Sequence, residues 1–173
     1  MEYYYIRGPD QAIFDEIRPF TKFFDSWHYD ELSLDSLKKK TNLALIIDDN
    51  YSNIPSETLR YAICSLTHHR NFLIILQCHH LYSKSIKGFR EILLNVQVIC
   101  FSYSPSNKSM LRTFASQFFP DKYKSFLEMA AHVLSGGQFQ KFYVDLSAFK
   151  NDLYRISINN VPEDGDRCFF VLK

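Results

Sequence analysis

Apolar residues in this chain come in short unbroken runs separated by amphipathic stretches, an alternation that predicts strands covered by helices. The clearest run is Leu43-Ala44-Leu45-Ile46-Ile47, entered from Thr41-Asn42 and leading into Asp48-Asp49-Asn50. Such a run, with turn formers on both sides, reads as a strand buried on both faces, the kind that parallel sheets contain. Phe72 to Gln77 is a second buried run and Val96 to Phe101 a third. Tyr3 to Arg7 is aromatic and β-prone, which predicts a strand near the start of the chain.

Helical stripes lie between these runs. Ile13, Phe14 and Ile17 follow the Gly8-Pro9-Asp10 turn and stop at Pro19, Ser33 caps a helix through Leu34 and Leu37, and Ser56, Leu59, Ile63 and Leu66 follow Pro55. Phe20, Phe23, Phe24 and Trp27 form an aromatic stretch expected to cover a sheet edge. Thr67 to Asn71 reads as a polar connection and Lys87 to Leu94 as a short helix. Further on, Ser106 is the expected cap of a helix to about Phe119. Asp121 is the expected cap of another, carrying Tyr123, Phe126, Leu127, Ala130 and Val133 and stopped by Gly136-Gly137. Phe142 to Leu146, Leu153 to Ile158 and Cys168 to Leu172, with a turn at Pro162 to Gly165, make the end of the chain strand-rich. The predicted class is α/β with a parallel sheet.

Length and composition narrow this picture. A chain of 173 residues is expected to form one domain, and 46% hydrophobic and 16% aromatic residues argue against disorder. Lys+Arg 20 against Asp+Glu 19 gives no global field for nucleic acid or an anionic membrane, so any DNA contact must be local or supplied by an oligomer. Cys64, Cys78, Cys100 and Cys168 form no C-x-x-C pair, and three lie inside apolar runs, which reads as reduced core cysteines. There is no basic, apolar and small-residue leader pattern, and no apolar run approaches the ~20 residues that span a bilayer. A soluble intracellular protein of the cytoplasm or nucleus, without a membrane partner, is the expectation.

The candidate chemistry sits at strand ends. Open α/β sheets place their sites beyond the carboxyl ends of the strands, where Asp48 and Asp49 fall. An apolar strand ending in two acids has the form of a Walker B element; an Asp-Asp-Asn turn closing a buried strand has the same letters. His68-His69 and His79-His80 could suggest a metal, but the strand between them separates the pairs by roughly 25 Å, which excludes one shared zinc.

Several elements then fall into one order: the apolar strand ending in Asp48-Asp49, a helix, Thr67-His68-His69-Arg70-Asn71, and an apolar strand ending in Gln77. After these come Arg90-Glu91-Ile92-Leu93-Leu94-Asn95, a strand ending in Phe101, the turn Ser104-Pro105-Ser106-Asn107-Lys108, and Tyr143-Val144-Asp145-Leu146. This series resembles the genome-packaging ATPases of double-stranded DNA viruses and virus-like mobile elements, the poxvirus-type branch of the FtsK-HerA superfamily of P-loop motors. The similarity runs from about Tyr3 to the C-terminus. It implies a three-layer P-loop sheet, ATP and Mg²⁺ as cofactors, double-stranded DNA as the partner and a homo-oligomeric ring.

Residue by residue, it implies that Asp48 holds Mg²⁺ and Asp49 orients the attacking water. Gln77 would be the sensor of the γ-phosphate, and Arg90 an arginine finger reaching a neighbouring subunit. A polar strand end and a solvated helix arginine are the other readings of Gln77 and Arg90, and Arg70 receives no role. One departure is large. No G-x-x-x-x-G-K-[ST] loop is present: Gly8, Gly88, Gly136, Gly137 and Gly165 are the only glycines, and none lies in that frame. The expectation is therefore a P-loop domain truncated before its Walker A strand, inactive by itself. It would be a fragment of a longer ATPase, a nucleotide-free relative, or a subunit completed by a second chain. A non-enzymatic α/β interaction module is the alternative.

Overall fold

The computed structural model describes residues 1–7, 14–48, 54–79, 82, 89–102, 108–136, 140–147, 151, 155–159 and 165–173. Asp49, His80, Gly88, Ser106, Gly137 and the turn at 162–164 lie outside these. The chain forms two compact units, Met1–Asn95 and Val96–Lys173.

The first unit is built on a parallel sheet of β1 (Glu2–Ile6), β2 (Lys22–Phe24), β3 (Leu43–Asp48) and β4 (Leu73–Gln77), in the order β2-β1-β3-β4. Every pairing is parallel. The central strand β3 is the run that stood out in sequence, and its Leu43, Leu45 and Ile47 are fully buried. Asn42 and Asn71 stand immediately or almost immediately before β3 and β4 with φ of 56° and 55°, a left-handed conformation that asparagine tolerates better than branched residues. Asn71 Nδ2 donates to Asn42 Oδ1 at 2.7 Å, and the Asn42 N–H donates to the Arg70 carbonyl at 3.0 Å. The two strand entrances are thus tied together, which sets their register.

Helices α1 (Phe14–Ile17) and α2 (Leu34–Leu37) are single turns, and Ser33 caps α2 as expected, its hydroxyl accepting from the Ser36 N–H. The helical path after Pro55 runs through α3 (Ser56–Tyr61), a π-helical stretch Ala62–Leu66 and α4 (Thr67–His69). Thr67 to His69 therefore extend a helix instead of forming a connection. Thr67 Oγ1 donates to the Ile63 carbonyl at 2.7 Å, so the polar side chain is satisfied within the helix itself. Helix α5 (Phe89–Asn95) closes the unit.

Three further expectations are corrected. The Phe23–Phe24 stretch is strand β2, the edge of the sheet, and not a cover over it. Strand β4 is not buried on both faces: Leu73 is 51% and Ile75 48% exposed, because nothing pairs with its outer edge among the described residues. The third apolar run does not join the parallel sheet.

That run is β5 (Val98–Ser102), in an antiparallel sheet with β6 (Lys141–Asp145), β7 (Ile156–Ile158) and β8 (Cys168–Phe170), in chain order. The strand-rich end of the chain supplies β6, β7 and β8 of this second sheet, in which every pairing is antiparallel. Helices α6 (Lys108–Phe118) and α7 (Tyr123–Leu134) supply Phe114 and Phe126, which pack with Phe101 and Phe142 at centroid separations of 5.0 to 5.8 Å. Edge-on and offset rings at these spacings form the core of the unit. Asp121 lies in a 3₁₀ turn, Pro120–Lys122, and Lys122 takes the N-cap position of α7 without a side-chain cap. None of the four cysteines forms a disulfide, but Cys100 and Cys168 are exposed, because they fall on strand faces that the core does not use.

Candidate functional site

Strands β3 and β4 lie side by side with Asp48 opposite Gln77. Parallel pairing brings both residues to the same end of the sheet, and alternation along each strand puts them on one face with Ile46 and Ile75. Tyr5 of β1, opposite Ile46, shares that face. Its hydroxyl donates to Asp48 Oδ2 at 3.0 Å. The Tyr5 ring is held by Phe14 at 5.2 Å and by Phe23, stacked at 5.5 Å. Burial, and then the hydrogen bond to Asp48, push the Tyr5 phenol up to about 12, so it stays protonated and donating across the whole neutral range.

Arg7 follows β1 at the same end of the sheet. Its backbone N–H donates to the Phe24 carbonyl at 3.0 Å, and its guanidinium lies 5.5 Å from the ring centroids of both Phe14 and Phe23. A cation on two ring faces is positioned by packing and by the ring quadrupoles. The carboxyl ends of β1, β3 and β4 therefore carry a cation, a carboxylate and an amide, with a phenol buttressing the carboxylate.

Sequence reasoning placed Asp48 and Gln77 at strand ends, and the structure brings these two together. Asp49 lies outside the described residues. Arg90 is exposed in the first turn of α5, and no hydrogen bond or ion pair joins it to Asp48 or Gln77; its neighbour Glu91 pairs with Arg60 at 3.0 Å. Tyr5 was not found from sequence, since it meets Asp48 across 43 residues. Arg70 contributes its backbone carbonyl to the strand entrance, at the opposite end of the sheet from the site. His68 and His69 end the helix before β4 and His79 follows β4, so the strand separates His79 from them; His80 lies outside the described residues.

Among the described residues no group of three or more His, Cys, Asp or Glu could hold a metal ion. The implied Mg²⁺ is compatible with the donor set in a limited sense. Mg²⁺ keeps several waters and takes one or two carboxylates plus phosphate oxygens, and Asp48 has Oδ1 left after Oδ2 accepts from Tyr5. No described helix is long and apolar enough to cross a membrane. Compared with protein-family models, curated proteins and solved structures, the chain matches none.

Proposed function

We propose that this chain is the C-terminal part of an ATP-driven motor that packages or translocates double-stranded DNA, working as a homo-oligomeric ring inside the cell and inactive without its phosphate-binding segment. The observation that carries the reading is the pairing of Asp48 with Gln77 at the carboxyl ends of adjacent parallel strands. An acid for the metal and an amide for the γ-phosphate need that adjacency, because both act on groups a few ångströms apart. In this reading Asp48 would hold Mg²⁺, Tyr5 holds its carboxylate in one orientation, and Asp49 would orient the attacking water. Gln77 hydrogen-bonds the phosphate oxygens. Arg90, exposed on α5, is available to a neighbouring subunit's nucleotide. Bound Mg²⁺ would neutralise charge on the β- and γ-oxygens.

The test is hydrolysis. The purified 173-residue chain is expected to show no Mg²⁺-dependent ATP turnover, with or without double-stranded DNA. A longer form carrying a G-x-x-x-x-G-K-[ST] segment is expected to hydrolyse ATP and to lose at least a hundredfold in kcat on Asp49→Asn or Gln77→Ala. Turnover by the short chain that Asp49→Asn abolishes would sink the reading of inactivity. Turnover of the long form indifferent to both substitutions would sink the assignment of the site.

One observation favours a second reading, a non-enzymatic α/β interaction module. The Tyr5 hydroxyl occupies one oxygen of Asp48, which is also how a structural carboxylate is satisfied. Under that reading Asp48→Asn leaves partner binding intact and changes only stability.

A further inference from the structure

We propose that the face of the second sheet turned away from α6 and α7 binds single-stranded nucleic acid, with Tyr143 and Phe169 as stacking rings and Lys141 and Arg167 as phosphate contacts. The register defines this face. Phe101, Phe142, Val144 and Ile156 are buried and belong to the side on which Phe114 and Phe126 pack. Alternation along each strand turns the residues between them the other way. Those residues make one row across all four strands: Cys100 is opposite Tyr143, Tyr143 opposite Ser157, and Ser157 opposite Phe169.

The row places two rings with a small residue between them. Tyr143 is half-buried and Phe169 is 38% exposed, while Ser157 between them is 2% exposed. Neighbouring strands lie about 4.8 Å apart, so β6 and β8, which carry the rings, are about 10 Å apart. Rings stack on one another at centroid separations of about 4.5 to 7 Å, so this spacing gives each ring its own ligand group.

The charges follow the rings. Lys141 precedes Tyr143 by two residues in β6 and shares its face. Arg167 precedes Phe169 by two residues, and its guanidinium lies 4.8 Å from the Phe169 ring centroid, which fixes it on the same face. Strands β6 and β8 run in one direction, since each is antiparallel to β7. Both cations therefore lie on the same side of the ring row, about 7 Å from it along the strands. Asp145 lies on the other side, where its carboxylate accepts from the Ser147 N–H at 3.0 Å. Arg155 stands at that corner too, and its Nη1 donates to the carbonyls of Asp145 and Ser147, so its charge serves the turn there.

A row of rings beside a parallel line of cations selects the ligand. The rings take flat aromatic faces and the cations take phosphates, and a strand of unpaired nucleotides crossing the sheet offers both together. A duplex keeps its base faces stacked on neighbouring pairs and meets the cations alone. With a formal net charge of +1 the attraction is local, so binding is weakened by salt without long-range steering. Asp48, Gln77 and ATP take no part, so this surface and the motor reading stand or fall separately.

The experiment is fluorescence anisotropy with the 173-residue chain and three labelled probes, oligodeoxythymidine, oligouridine and a DNA duplex, each about 12 nucleotides or base pairs long. At least one single strand is expected to bind with Kd below about 100 µM in about 50 mM salt, and about tenfold tighter than the duplex. Tyr143→Leu and Phe169→Leu keep apolar bulk and remove the ring, and each is expected to weaken binding about tenfold; Tyr143→Phe should stay within about twofold. Lys141→Gln and Arg167→Gln should each reduce the salt slope of log Kd by about 0.7. Circular dichroism melts establish that each variant is folded. Phe169 lies on the last strand of the sheet, so its variant decides should Tyr143→Leu not fold. Tighter binding of thymidine or of uridine names DNA or RNA as the source, and equal binding supports the surface as well. No saturation by either single strand up to about 100 µM overturns the proposal. A duplex bound as tightly as the single strands overturns it, and so do folded leucine variants that bind like the unsubstituted chain.

Discussion

At the scale of single residues the contact between Tyr5 and Asp48 has the most consequence. It is partly buried, and its ring is fixed by Phe14 and Phe23, so removing the hydroxyl takes away one hydrogen bond without disturbing the packing. Tyr5→Phe is expected to cost about 1 kcal/mol in urea unfolding at neutral pH. The same contact predicts an alkaline limit. The folded chain holds the Tyr5 proton more tightly than the unfolded chain, whose phenol keeps the ordinary value of 10.0, so this stabilisation is complete below that pH. It is lost as pH rises through about 12. The stability difference between the natural chain and Tyr5→Phe should therefore shrink between about pH 10 and 12, measured by urea midpoints; a difference that stays constant there would show that the phenol is not held by folding.

Asn42 and Asn71 carry a second prediction at this scale. Both adopt left-handed φ and hydrogen-bond one another, so Asn71→Val should cost roughly 2 kcal/mol, from backbone strain together with the lost bond, while Asn71→Gly should cost less than about 1. Denaturant midpoints of the two variants decide it. Equal losses would mean that the side-chain bond, and not the conformation, matters at this position.

At the scale of elements, two runs that look alike in sequence behave differently. Leu45 of β3 is fully buried, whereas Leu73 of β4 is half exposed. Leu45→Ala should cost about 3 to 4 kcal/mol and Leu73→Ala less than about 1, a contrast readable in one pair of unfolding curves. Composition could not have separated them, because burial depends on what lies beside a strand, and among the described residues β4 has a neighbour on one side only. The same limit explains the third run: β5 is as apolar as β4, but its partner is β6, which lies beyond two helices in the chain, and local periodicity does not name partners. Strands β1, β3 and β4 and the Ser33 cap were legible because runs of aromatic or branched residues and a capping serine act locally. Strand β2 was not, since its three residues follow Pro19 in a stretch whose aromatic spacing equally suits a cover. The adjacency of Asp48 and Gln77 was legible as two strand ends; Tyr5 needed the register of β1 against β3.

For the molecule as a whole, the consequence of the open edge is association. The chain carries a formal net charge of only +1, so charge repulsion between copies is weak. Among the described residues strand β4 has no partner on its outer edge and exposes Leu73 and Ile75, and β5, in the second unit, has β6 as its one partner and exposes Val98 at 51%. Edges of five uncharged residues with apolar side chains are templates for intermolecular pairing. The 173-residue chain should therefore sediment as a concentration-dependent mixture at micromolar levels. Lysine at Ile75 should shift it toward monomer, and lysine at both Ile75 and Val98 should shift it further, because the two edges lie in separate sheets and act independently. The substitutions should leave the melting temperature of the monomer within about 2 °C, since exposed strand positions away from packed neighbours cost little. Sedimentation velocity across a tenfold concentration range gives the answer. A 173-residue chain that stays monomeric throughout would mean that neither edge offers a usable template, as is expected of the opposite edge of the first sheet, where the three-residue β2 begins with Lys22, paired with Glu31 at 2.7 Å.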